Sequence, residues 1–156
     1  MEKDINHILE SIKNESKNFL ENNISLQTYE IKTFCNKLNH HTSIITLEDD
    51  TFLCRVIISI EKELFEAIFS EFIAGEIEES QRDELAIDLS NEIINIIVGL
   101  STRNFPKKFS HLILSTPLYL TKKEVRKIIE KKQFQSFEII TSLGSFNSYI
   151  IMDKNG

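Results

Sequence analysis

Apolar residues recur along the first twenty positions at helical spacing: Ile5, Ile8, Leu9, Ile12, Phe19 and Leu20 fall on or near one face. That pattern predicts a helix over residues 4–22, ended by Asn22-Asn23. A strand-like stretch with partial alternation follows from Ile24 to Phe34. Two stronger strands come next, Thr42 to Leu47 and Phe52 to Ile60, with Glu48-Asp49-Asp50-Thr51 as the hairpin turn between them. Leu64, Phe65, Ile68, Phe69 and Phe72 return to helical spacing, so residues 61–74 are predicted as a second helix, capped by Gly75. Beyond the acidic connector Glu76 to Glu79, Ser80 caps a long third helix with Asp83 in its first turn. It runs to about Asn104, before Pro106 stops it. His111 to Ser115 is a short apolar strand. Thr121-x-x-Glu124 is a capping box for a helix over residues 122–131. The chain then reads as a hairpin, Phe134 to Thr141 and Phe146 to Met152, turned through Ser142-Leu143-Gly144-Ser145. No strong internal repeat and no linker is visible. The order predicts one α+β domain, with long helices packed on an antiparallel or mixed β-sheet.

The third helix departs from a simple amphipathic pattern. At 100° per residue, Leu85, Leu89, Ile93, Ile96 and Leu100 share one broad stripe, the expected core face. Asp88, Glu92, Asn95 and Gly99 share a second, narrow stripe at i, i+4, i+7 and i+11. Ile87, Ile94 and Val98 form another apolar edge beyond it. A surface helix usually has a broad polar face, whereas this one presents a few polar groups between two apolar flanks. The stripe also opposes helix preference. Like charges at Asp88 and Glu92 cost roughly 0.2–0.5 kcal/mol. Asn95 and Gly99 cost roughly 0.7 and 1 kcal/mol relative to Ala. About 2 kcal/mol in total is a noticeable share of a small domain's stability, and such local rule-breaks concentrate at functional sites. The plain alternative is a solvated face.

Composition narrows the classes. Hydrophobic residues make up 41% of the 156, enough for a packed core, and eleven Phe with no Trp point to a core of Phe, Ile and Leu. Twenty-four acidic against eighteen basic residues give a formal net charge of −6 and a pI near 5.3. That balance disfavours general nucleic-acid binding, which depends on neutralising phosphates, and attraction to anionic membranes. No uninterrupted apolar run reaches the roughly 20 residues that a bilayer requires, and no signal peptide is visible; a cytoplasmic location is expected. Cys35 and Cys54 lack metal-ligand spacing and are expected as two buried thiols.

Asp88, Glu92, Asn95 and Pro117 match a known signature: Asp or Ser, three residues, Glu, two residues, Asn, twenty-one residues, Pro. The chain thereby resembles the CheC/CheX/FliY phosphatases, and Asp83-Glu84-Leu85-Ala86 and Gly99 fit the same helix. The resemblance covers most of the chain. A single motif and a short length favour CheX, whose relatives act as homodimers, over CheC with two motifs or FliY with an added domain. Small residues are common around the Glu and Asn in that family; here the neighbours are Asn91, Ile93 and Ile94.

The resemblance implies a phosphatase acting on the phosphoaspartate of a CheY-like response regulator, with Mg²⁺ held by that receiver and no cofactor in this chain. It implies that Asn95 positions the attacking water and that Glu92 docks on the receiver's active-site lysine. Asp88 tunes docking and Pro117 is structural. Ile87, Ile94, Val98 and Gly99 are expected to form the docking surface. The alternative from another class is a non-catalytic adaptor that binds a phosphorylated receiver or a flagellar switch component.

Other constellations carry less. His40-His41 with the scattered His7 and His111 do not make a metal site. Four glycines form no phosphate loop. The basic stretch Lys107 to Lys132 reads as a solvated face, or else as a means of steering toward an acidic partner.

Overall fold

The computed structural model describes residues 2–33, 41–130 and 132–153. In chain order the elements are α1 (Glu2–Asn18), β1 (Thr28–Lys32), β2 (His41–Glu48), β3 (Leu53–Ile60), α2 (Lys62–Phe72) and α3 (Glu79–Ser101). They continue with β4 (Ile113–Leu114), β5 (Leu118–Leu120), α4 (Lys122–Ile129), β6 (Phe134–Thr141) and β7 (Gly144–Asp153).

The strands form one sheet in the order β1-β6-β7-β3-β2-β4, with β5 also paired to β2, and every pairing is antiparallel. The fold is the α+β class expected. Strand alternation gives the sheet two different apolar faces. On one face Ile45, Val56, Ile58, Phe137 and Ile150 pack beneath α1, α2 and α3. On the other, Ile44, Ile57, Tyr149 and Ile151 pack against Val125 of α4.

Local chemistry sets the turns. Between β2 and β3 the Asp49 N–H donates to Phe52 O at 3.0 Å, and the Asp49 carboxylate accepts from the Thr51 N–H at 2.8 Å, an Asx turn. The β6–β7 turn is tighter than expected, because Gly144 already pairs with Thr141. Gly144 has φ +134°, and a Cβ there would run into the Glu61 carboxylate. Arg55 and Asp153 pin β3 to β7 through bonds of 2.8 and 3.3 Å, and Lys132, just before β6, donates to the same carboxylate at 2.7 Å. Burial would raise the Asp153 carboxyl, but these two cations together hold it below its ordinary value.

Several expectations shift. The first helix ends in a π-helical turn, Phe19–Asn23. The second stops at Phe72, where Ile73 turns extended, so Gly75, with φ +92°, lies in the following loop rather than capping the helix. The third starts at Glu79 with Glu78 as its cap, placing Ser80 inside the first turn. The Thr121–Glu124 capping box forms as expected. Strand β5 was not anticipated. It shares the outer edge of β2 with β4, and Ser115 bridges the gap: its N–H donates to Thr46 O and its Oγ accepts from the Thr46 N–H, both at 2.8 Å. Pro117, which has no N–H to donate, is tolerated at this break. Cys54 is a buried free thiol that burial pushes up to about 12. Cys35, His40, the Phe34 end of the first predicted strand and Lys131 lie outside the described residues.

The sheet order also holds a repeat that the sequence hid. Helix α1, strand β1 and hairpin β2–β3 are matched by helix α3, the broken strand β4–β5 and hairpin β6–β7. Each half's edge strand pairs with the other half's hairpin. By length and composition, Glu79–Asn104 would pass for a membrane span. In the fold it is a core helix, with Ile93, Ile94, Ile97 and Val98 at most 1% exposed.

Candidate functional site

Helix α3 is fixed from below by both layers it touches. Its buried positions are Leu89, Ser90, Ile93, Ile94, Ile97, Val98 and Ser101. Ser101 Oγ donates to Ile97 O at 2.6 Å and lies 3.4 Å from Ser11 O of α1. Ser43 of β2 reaches Ser90 Oγ and Asn91 Oδ1, each at 2.7 Å. Small residues at the centre of the buried face let the helix sit close to sheet and neighbour.

That packing places Asp88, Glu92 and Asn95 on the side pointing away from the core, all three exposed, with Gly99 half-buried in line with them. Among the described residues, no hydrogen bond or ion pair of this chain engages their side chains. A carboxylate and a carboxamide therefore project together from a rigid helix with donor and acceptor capacity unused. Pro117 lies at the β4–β5 break, and β5 also touches α3.

The docking rim needs correction. Ile94 and Val98 are 0% exposed and belong to the core. The buried face is rotated by about a quarter turn from the stripe read in the sequence, because its centre is occupied by Ser90, Ser101 and Ile97. Serine's polarity concealed that centre. Of the expected rim, Ile87 remains, at 39% exposed. On the other flank Leu100, also 39% exposed, and half-buried Ile96 border the polar stripe instead of filling the core.

The basic stretch does not surround the stripe. Lys122, Lys123, Arg126 and Lys127 are exposed on α4, on the opposite face of the sheet. Lys108 pairs with Asp4, and Lys132 with Asp153. The α4 cations thus lie on the side of the sheet opposite α3. Among the described residues no three His, Cys, Asp or Glu side chains come together as a metal site.

A second copy of the spacing lies on α1. Ser11, Glu15 and Asn18 on α1 repeat the spacing of Asp88, Glu92 and Asn95, although position 40 is His where the signature has Pro. The two helices occupy equivalent places in the repeat. Ser11, however, is buried and donates to His7 O at 3.0 Å. Glu15 and Asn18 line a notch of about 70 Å³ against Ile96 and Leu100. Of this second stripe only Ser11 is withdrawn into the fold; Glu15 is half-buried and Asn18 exposed.

The fold is thus an antiparallel sheet layered with helices, one of them a core helix that presents a carboxylate and a carboxamide outward. The sequence model for "Chemotaxis phosphatase CheX" matches residues 41–142, well over half of the chain. The chain belongs to the CheX family of chemotaxis phosphatases. Solved structures agree on the fold. The chemotaxis protein CheX of Vibrio vulnificus is 13% identical, with a TM-score of 0.69, over 94% of this chain and 99% of that one. CheX of Borrelia burgdorferi, solved in a complex with CheY, BeF3 and Mg²⁺, is 11% identical, with a TM-score of 0.69, over 97% and 98%. A CheC-like superfamily protein from a Shewanella species is 19% identical, with a TM-score of 0.64, over 96% of each chain. Among curated proteins, none matches this sequence.

Proposed function

We propose that this protein hydrolyses the aspartyl phosphate of a CheY-like response regulator, with α3 as the element that enters the regulator's phosphorylation pocket. The observation that carries the reading is the pair Glu92 and Asn95, exposed and, among the described residues, without a hydrogen-bond or ion-pair partner, on a helix packed on the core. The family match supports it, as does the composition of the Borrelia complex, in which a CheX is bound to a CheY carrying a phosphoryl mimic.

Phosphoryl transfer depends mainly on positioning and charge stabilisation. The Asn95 carbonyl accepts from a water and sets its oxygen in line with the acyl phosphate. The new P–O bond forms as the bond to the aspartyl oxygen breaks. A carboxylate leaves, and the water's proton goes to the released phosphate. The Mg²⁺ of the receiver neutralises charge on the phosphoryl oxygens. Glu92 pairs with the receiver's active-site lysine and fixes the register of Asn95. Asp88 and Gly99 shape docking, with Ile87 as an apolar contact. A cytoplasmic location and a homodimer, with no nucleic-acid or membrane partner, complete the reading.

The deciding experiment follows loss of the phosphoryl group from phosphorylated receiver. Asn95→Ala should abolish the stimulated rate while retaining binding, and full activity would end the mechanism. In the same assay Glu92→Lys should weaken docking by placing two cations together; unchanged affinity would remove the lysine contact. Binding by wild type without any acceleration would favour the adaptor reading.

A further inference from the structure

Asn91 precedes Glu92 and stands one turn before Asn95, and its side chain is anchored from beneath. The Ser43 hydroxyl donates to Asn91 Oδ1 at 2.7 Å, and Ser43 Oγ lies 2.7 Å from Ser90 Oγ, both serines being buried. A hydroxyl has one proton to give. With the Ser43 proton committed to Asn91, the Ser90 hydroxyl donates to Ser43. The relay from Ser90 through Ser43 to Asn91 holds the amide with its carbonyl inward.

The other end of that amide is free. Among the described residues the Asn91 NH2 group has no hydrogen-bond partner, and it is not buried. A surface asparagine turns either end to solvent. Here the inward bond leaves only donors outward, on the flank of α3 next to Asn95, since residues four apart are neighbours on a helix.

From this the geometry assigns Asn91 as a specificity residue: its NH2 group donates to an oxygen acceptor on the receiver beside the phosphorylation pocket, with Ser43 and Ser90 as positioning residues. The assignment rests on the reading that α3 docks on a receiver, and extends it to a contact that Glu92 and Asn95 do not make. A fixed outward donor selects for partners that place an acceptor opposite it and penalises those that leave it unpaired.

The test uses the full chain with phosphorylated receiver for turnover, and with receiver with and without beryllofluoride for binding. Asn91→Asp keeps an acceptor for Ser43 but removes the outward donors. Asn91→Ala removes them without adding charge. Both should raise KM about tenfold, the loss expected for one hydrogen bond, with the effect carried in KM rather than kcat. Ser43→Ala frees the amide to rotate and should raise KM by less; a merely structural hydroxyl pair would lower the melting temperature and leave KM alone. A loss of affinity equal with and without beryllofluoride places the acceptor on the receiver protein, and a loss confined to the loaded form places it on the phosphoryl group. Wild-type KM in Asn91→Ala overturns the assignment, even if Asn91→Asp is impaired, because charge repulsion then explains the latter. A wild-type protein that neither binds nor dephosphorylates receiver overturns the docking reading itself, an outcome distinct from failure of the variants alone.

Discussion

A Cβ added at Gly99 meets nothing within 4 Å, so the absence of a side chain there is not required by the chain's own packing. Glycine inside a helix costs about 1 kcal/mol relative to Ala, and at Gly99 the fold gains no close contact in return. The position continues the line of Glu92 and Asn95 one turn further along, where a partner's backbone would approach in the proposed docking. Gly99→Ala should therefore stabilise the isolated protein, raising its melting temperature by roughly 2–4 °C, while weakening binding to phosphorylated receiver. Calorimetry and a binding titration on the same sample check both halves. A stabilised variant with unchanged affinity would show that nothing docks over this turn. The same residue-scale logic explains the error at Ile94 and Val98. The wheel showed apolar residues on both flanks of the polar stripe, but only the packing of Ser90 and Ser101 against β2 and α1 reveals that Ile94 and Val98 join Leu89, Ile93 and Ile97 in one buried arc, with Ile87, Ile96 and Leu100 at its margins.

At the scale of elements, α1 and α3 test whether spacing alone makes a site. Both carry an acidic residue and an asparagine three apart, and both lie on the same face of the sheet in corresponding halves of the fold. They differ in how the stripe is turned. That of α3 is exposed at all three positions, whereas that of α1 runs from buried Ser11 through half-buried Glu15 to exposed Asn18, beside Ile96 and Leu100. Asn18→Ala should accordingly leave receiver dephosphorylation at the wild-type rate. A loss comparable to that of Asn95→Ala would mean that α1 is also presented to a partner. Most of this was legible where periodicity is strong and local. The β2–β3 and β6–β7 hairpins, the long third helix, the Thr121 capping box and the Glu92–Asn95 pair all follow from spacing. The repeat was not legible, because it resides in strand order, which only long-range pairing defines. Strand β5 was hidden by its three-residue length and by Pro117. The Ser43–Asn91 bond joins residues 48 apart in sequence and leaves no local signal.

For the whole molecule, the site and the proposed homodimer must use different surfaces, since a partner copy lying over α3 would block the receiver. The sheet offers such a surface. Ile113 pairs opposite Glu48 and Leu118 opposite Ile44, so strand alternation puts both on the α4 side, away from α3. They are 70% and 61% exposed, high for large apolar residues on one short edge. The break at Pro117 prevents a continuous ladder between copies, so contact there rests on side chains rather than on an extended backbone pairing. Two copies related by a two-fold axis would cover the same residues on each other and leave both α3 helices open. Sedimentation equilibrium should show a dimer for the wild-type chain and a monomer for the Ile113→Lys/Leu118→Lys double variant, which retains dephosphorylation because both side chains lie on the face of the sheet opposite α3. A wild-type monomer would remove the dimer, and a double variant that still pairs would move the interface to another surface.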